Sequence, residues 1–185
     1  MNRQKYYLRT MTEKDLKIVF DWRNSDHVRL NMFHDALIPW DEHQKWFVRI
    51  TGNPGNSYHI FEIHQRPVGL VCFTDIDMKN KSCFWGFYIG EPGSPKGSGL
   101  AMGFLALDHA FNNMHLRKIS GECFSFNLAS INYHERLGFR REGQFVEHQR
   151  REDKYEDIIR FGLLDREWLS LRSQIEAIVF APQNQ

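Results

Sequence analysis

The most constraining stretch of this chain is an aromatic run that stops at a glycine-rich turn and resumes as a helix. Phe84-Trp85-Gly86-Phe87-Tyr88-Ile89 reads as a strand. Gly90 to Gly99 is rich in Gly, Pro and Ser and predicts a turn. Leu100, Phe104, Leu107 and Phe111 then recur at i, i+4, i+7 and i+11, the apolar stripe of a helix.

That helix start has chemical consequences. A helix N-terminus presents unpaired N–H groups and partial positive charge. Gly97 and Gly99 let the backbone approach a phosphate, and Lys96 adds a point charge. Together they can hold a pyrophosphate without net charge on the protein. Gly-x-Gly alone equally suits an ordinary capped loop. Two stronger nucleotide motifs are excluded: there is no Gly-x-x-x-x-Gly-Lys-[Ser/Thr], and the third glycine of a dinucleotide fingerprint is missing. With 24 basic against 23 acidic residues, bulk charge gives no reason to expect nucleic acid.

Either side of the turn, helices and strands are interspersed. Tyr6 to Arg9 predicts a first strand. Thr12 caps a helix carrying Leu16, Val19 and Phe20. Pro39 opens a second, with Trp40, Trp46, Phe47 and Ile50 available to a core. Ser57 to His64, Val68 to Thr74 and Cys83 to Ile89 predict three strands, and Lys118 to Phe124 another. Leu128 to Leu137 is a helix stopped by Gly138. Phe139 to Glu147 and Glu156 to Leu164 predict an antiparallel pair. The expected fold is α/β: a mixed sheet with helices on both faces. The 185 residues suit one domain, 1–185, whose closing helix and fraying tail occupy 165–185. Cys72, Cys83 and Cys123 lie in apolar runs without Cys-x-x-Cys spacing, so no metal site or disulfide framework is expected. The N-terminus lacks an apolar signal core, no stretch approaches a membrane span, and the cytoplasm is the default location.

A second segment raises the specificity of the first. Asn127-Leu128-Ala129-Ser130-Ile131-Asn132-Tyr133-His134-Glu135-Arg136-Leu137-Gly138-Phe139 follows a strand about one helix later. With Lys96 to Ala101, it resembles the paired hallmark motifs of the GNAT superfamily of N-acetyltransferases, over roughly Tyr6 to Trp168. The resemblance implies the GNAT fold, a mostly antiparallel sheet of about seven strands, and acetyl-CoA as cofactor. The strands Cys83–Ile89 and Lys118–Phe124 would splay apart. The pantetheine arm would pair with backbone at Phe87, Tyr88 and Ile89. The pyrophosphate would sit on Lys96, Gly97, Ser98, Gly99, Leu100 and Ala101, and Asn127, Ser130 and Arg136 would add cofactor contacts.

One departure matters. Many GNAT members place a tyrosine seven residues after the Asn to protonate the departing thiolate. Here that position is His134, with Tyr133 one earlier. Neighbouring helical residues point about 100° apart. His134 is expected to serve as the acid, ahead of Tyr133. Glu122 is the candidate base, through a water, if it faces the gap; alternation leaves its direction open because Cys123 and Phe124 are both apolar.

For the acceptor, Phe20-Asp21-Trp22-Arg23-Asn24, Val28-Arg29, Asp41-Glu42-His43, Phe73-Thr74-Asp75-Ile76-Asp77 and Gly86 to Pro92 resemble the PseH-type branch. That branch acetylates the 4-amino group of UDP-linked amino-deoxysugars in pseudaminic acid biosynthesis. The resemblance implies Arg23 and Arg29 on a diphosphate, His43, Thr74, Asp75 and Tyr88 on a sugar, and an aromatic among Trp22, Phe33, Trp40 and Trp46 stacking on a ring. Two alternatives stand beside it. A ribosomal-protein-type N-terminal or polyamine acetyltransferase shares the cofactor motifs, and Asp75, Asp77 and Glu91 offer an acidic pocket. A non-catalytic acetyl-CoA-binding module is the other. A homodimer is possible through the last helix or a strand edge.

Overall fold

The computed structural model describes residues 3–180, so the expected fraying of Ala181 to Gln185 lies outside the described residues. Strand β1 (Tyr6–Thr10) leads into helices α1 (Leu16–Asn24), α2 (Asp26–Arg29) and α3 (Trp40–Thr51). Strands β2 (Ser57–Ile63), β3 (Arg66–Asp77) and β4 (Ser82–Ile89) follow. Then come α4 (Ser98–Asp108), β5 (Lys118–Phe124), α5 (Leu128–Arg136), β6 (Arg140–Arg151), β7 (Lys154–Leu164) and α6 (Asp165–Phe180).

The seven strands form one sheet in the order β1-β2-β3-β4-β5-β7-β6. Every pairing is antiparallel except β4 with β5. The predicted architecture is therefore present, with one addition. Helix α2 is a single turn, too short to leave an apolar period in the sequence.

Both sheet faces are covered, and alternation along β2 shows how. Phe61 and Ile63 enter the larger core with Phe104, Leu107, Phe161 and Trp168. Ile60 enters the smaller core with Val19 and Trp22 from α1. Arg9 ties α1 to the sheet edge, gripping Asp15 with two 2.7 Å hydrogen bonds and Glu62 with a third of 2.7 Å. Asp15 in turn accepts from the Thr12 N–H at 2.8 Å, so the expected Thr12 cap is a reciprocal box.

Candidate active site

The parallel β4–β5 pairing lasts only from Ser82–Lys118 to Phe84–Ser120. Beyond it the strands separate. Phe87, Tyr88 and Ile89 pair with β3 at Val71, Leu70 and Gly69, which leaves their other backbone edge facing the gap. On the far side, Gly121 to Phe124 pair with β7. A groove of about 640 Å³ opens in this gap, lined by Phe84 to Ile89 from β4, Glu122 and Cys123 from β5, and Asn127, Ser130 and Tyr133 from the next segment.

The glycine-rich turn closes one end. Gly97 sits in the left-handed region at φ +88°, which favours glycine, and caps α4. Part of this turn is used internally. The Ser98 N–H and hydroxyl both donate to the Pro95 carbonyl, at 3.1 and 2.6 Å, and the Ala101 N–H donates to Gly97 at 3.1 Å. The Gly99 and Leu100 N–H groups fall in the first helical turn, where no intrahelical carbonyl is in reach. Within the expected run from Lys96 to Ala101, the buried Ser98 and Ala101 N–H groups thus serve the turn, while Lys96 is exposed. Asn127 caps α5, its Oδ1 accepting from the Ser130 N–H at 3.0 Å, which leaves its amide nitrogen for a ligand. Arg136 is exposed and does not line the groove.

A second cavity of about 440 Å³ lies under α1 and α3. Met32, Cys72 and Gly86 to Tyr88 line both spaces, so the middle of β4 separates them. Arg23 lines this cavity. Its Nη2 donates to the His34 carbonyl, while Nη1 is buried without a partner. Burial holds the guanidinium below its ordinary pKa.

Other expected acceptor residues divide. Thr74 and Asp75 line the groove at an irregularity in the β3–β4 register, which re-aims side chains there. Arg29 is already engaged by Asp26 at 2.9 Å and the Asp35 carbonyl at 3.0 Å, and it lines neither space. His43 is buried, its Nε2–H donating to the Leu16 carbonyl at 3.0 Å while its ring stacks on Trp46. It is a histidine that joins α1 to α3, although its ring edge reaches the second cavity. Trp22 is core and Trp40 packs edge-on against Phe20, while Trp46 and Phe33 reach the cavities.

A protein-family model described as Acetyltransferase (GNAT) domain matches residues 5–140. The chain belongs to the GNAT family. It is 23% identical over 164 residues to a spermidine N(1)-acetyltransferase of Vibrio cholerae, covering 88% of this chain and 95% of that one. It is 34% identical over 103 residues to an uncharacterized SPbeta prophage-derived N-acetyltransferase of Bacillus subtilis, covering 55% of this chain and 57% of that one. A crystal structure of spermidine N-acetyltransferase from Vibrio cholerae with CoA and spermine superposes with a TM-score of 0.84 at 23% identity, covering 90% and 99% of the two chains. The protein is accordingly an acetyl-CoA-dependent N-acetyltransferase.

The groove fits the coenzyme that a GNAT enzyme uses. An open β4 backbone edge suits an amide-bearing arm, and two free N–H groups at α4 suit a pyrophosphate. The expected acid does not fit. His134 is 2% exposed and lies outside the groove lining. The Trp85 indole N–H donates to His134 Nε2 at 3.2 Å. An indole nitrogen only donates, so Nε2 must be unprotonated. Nδ1 then carries the proton and gives it to the Ser130 carbonyl at 2.8 Å. Burial pushes the imidazole down to about 4, so near neutrality it holds no spare proton. Tyr133 does line the groove, but its hydroxyl donates to the Gly99 carbonyl at 2.8 Å and burial raises its pKa far above the ordinary value.

Glu122 faces the groove, 3.0 Å from Arg160 Nε on β7, and the Arg160 guanidinium lies over the Phe84 ring. Sequence reasoning missed Trp85 and Arg160. Trp85 has only its aromatic strand as a signal, and Arg160 only its cross-strand register with Glu122.

Proposed function

We propose that the enzyme acetylates a primary amine of a small polycation of the polyamine class, by direct attack within a ternary complex. One observation carries this reading. Among the described residues, the only acidic or basic side chains lining the groove besides His27 are Asp75 and Glu122, with no Lys or Arg. These two carboxylates can attract a protonated amine, while the phosphates of the coenzyme are left to the backbone N–H groups at the start of α4. The Vibrio cholerae relative named a spermidine N(1)-acetyltransferase supports it from an independent side.

In this reading Glu122 draws the proton from the incoming ammonium through a water, with Arg160 fixing its carboxylate. The thioester of acetyl-CoA supplies the acetyl group. The Phe87 to Ile89 edge orients the arm, and the Gly99 and Leu100 N–H groups hold the pyrophosphate. With His134 and Tyr133 both committed, solvent protonates the leaving thiolate.

A second reading keeps the amino-sugar nucleotide. Arg23, with its unpartnered Nη1, and Arg49 line the second cavity and suit a diphosphate. The relatives named above give that reading no support. Thiol release from acetyl-CoA, with product mass, separates the two when spermidine, spermine and UDP-linked amino sugars are compared. Saturable turnover with the polyamines, lowered in Glu122→Gln with a shifted pH–rate profile, is expected. Turnover confined to the sugar nucleotides and abolished by Arg23→Ala would favour the second reading.

A further inference from the structure

The strands that cradle the cofactor stop pairing after three residue pairs. The ladder ends at Phe84–Ser120, and the next residues are Trp85 and Gly121. At this vertex a side chain of β4 bonds to one of α5, the Trp85 Nε1–H donating to His134 Nε2 at 3.2 Å. It lies directly over Gly121, where a β-carbon would meet His134 Nε2 at 2.5 Å and Trp85 Nε1 at 2.7 Å.

Each ring is fixed from behind. His134 lies flat on Phe161, with centroids 4.5 Å apart and planes 7° apart, and Phe161 pairs with Gly121 across the β5–β7 ladder. Trp85 lies on Phe139 at 4.9 Å and 14°. The imidazole therefore spans from α5 to β4 and rests on β7. Among the described residues, its hydrogen-bond and ring partners are Trp85, Ser130, Phe87, Tyr133, Phe139 and Phe161, none of them acidic or basic.

We propose that His134 is a positioning residue: with Trp85 it forms a hydrogen-bonded wedge that holds β4 and β5 open and so sets the width of the cofactor slot. The lone pair on Nε2 is what the site uses. The residue stands where GNAT relatives carry a tyrosine acid, yet it acts on binding rather than on the proton. This role concerns the cofactor slot and is independent of which amine is accepted.

Calorimetric titration with CoA tests it without any acceptor. His134→Phe removes the acceptor and leaves the indole N–H buried and unpaired; CoA affinity should fall about tenfold. His134→Gln can still accept from Trp85 and should bind within about threefold of the wild type. Trp85→Phe should weaken binding like His134→Phe, and the double variant should be no worse than the weaker single one. In NMR spectra the Trp85 indole N–H should exchange slowly with solvent in the wild type and in His134→Gln. The idea fails if His134→Phe binds CoA like the wild type while turnover at saturating acetyl-CoA collapses and Gln does not restore it. Should the Phe variant not fold, His134→Gln decides: wild-type affinity with turnover retained supports the wedge, and wild-type affinity with turnover lost marks a proton donor.

Discussion

Lowering the pH from 7 to 4 should destabilise the enzyme by roughly 2–3 kcal/mol for each of two buried histidines. His134 and His59 are both depressed to about 4 from 6.5, chiefly by burial; for His59 the neighbouring His109 adds to the effect. Both are neutral in the folded protein between pH 4 and 6.5, while the unfolded chain takes up the protons. The unfolded state then binds more protons, so stability rises with pH through this window and is lost as pH falls. The surroundings allow no easy relief. His59 packs against His109 at 4.7 Å and Phe73 at 5.8 Å, with the Ser57 hydroxyl 2.8 Å from its Nε2. Asp15 acts in a different range. Burial alone would raise it, but Arg9 and Thr12 hold it below the ordinary carboxylate value, so its contribution disappears only in stronger acid. Urea unfolding at pH 7, 6, 5 and 4 should show a slope matching uptake of at least two protons, since burial also lowers His43 and His109. His134→Gln should remove about one of them. A flat profile would mean that the two rings are hydrated or charged in the folded state.

Gly121→Val should be nearly as damaging at any pH, with a loss of about 3 kcal/mol. The new branch would enter the space between His134 and Trp85, where a β-carbon already sits 2.5 Å from one ring and 2.7 Å from the other. Neither ring can retreat, because Phe161 and Phe139 back them. Gly143 makes the control, since a β-carbon there meets nothing within 4 Å. Gly143→Ala should stay within about 0.5 kcal/mol of the wild type. Chemical unfolding of the two variants checks this directly. Equal stabilities would show that the vertex of the groove is soft.

The fold was legible wherever a local pattern met a strong boundary. Lys118 to Phe124 is bounded on both sides as expected, and α4 begins at the glycine turn. The cofactor groove followed from two motifs because both depend on backbone: an open strand edge and a helix start. Side-chain roles were less legible, since each is decided by a partner far away in sequence. His134 is committed by Trp85 and Phe161 from two other strands. His43 is committed by a carbonyl of α1. Arg29 is held by Asp26 of its own short helix and by the Asp35 carbonyl beyond it, which no periodicity marks. The direction of Glu122, open from alternation, depends on where β5 leaves β4. The acceptor branch, read from the first helices and from segments of β3 and β4, is the loosest inference, because side chains scattered over several elements decide it.

The central claim is that acetyl-CoA lies in the β4–β5 gap with its pyrophosphate on the start of α4. Backbone amide NMR during a CoA titration tests it most directly. The account predicts saturable downfield shifts of the Gly99 and Leu100 amides, smaller ones at Ser98 and Ala101, and shifts along Phe87 to Ile89. CoA binding that left the Gly99 and Leu100 amides unmoved would contradict it.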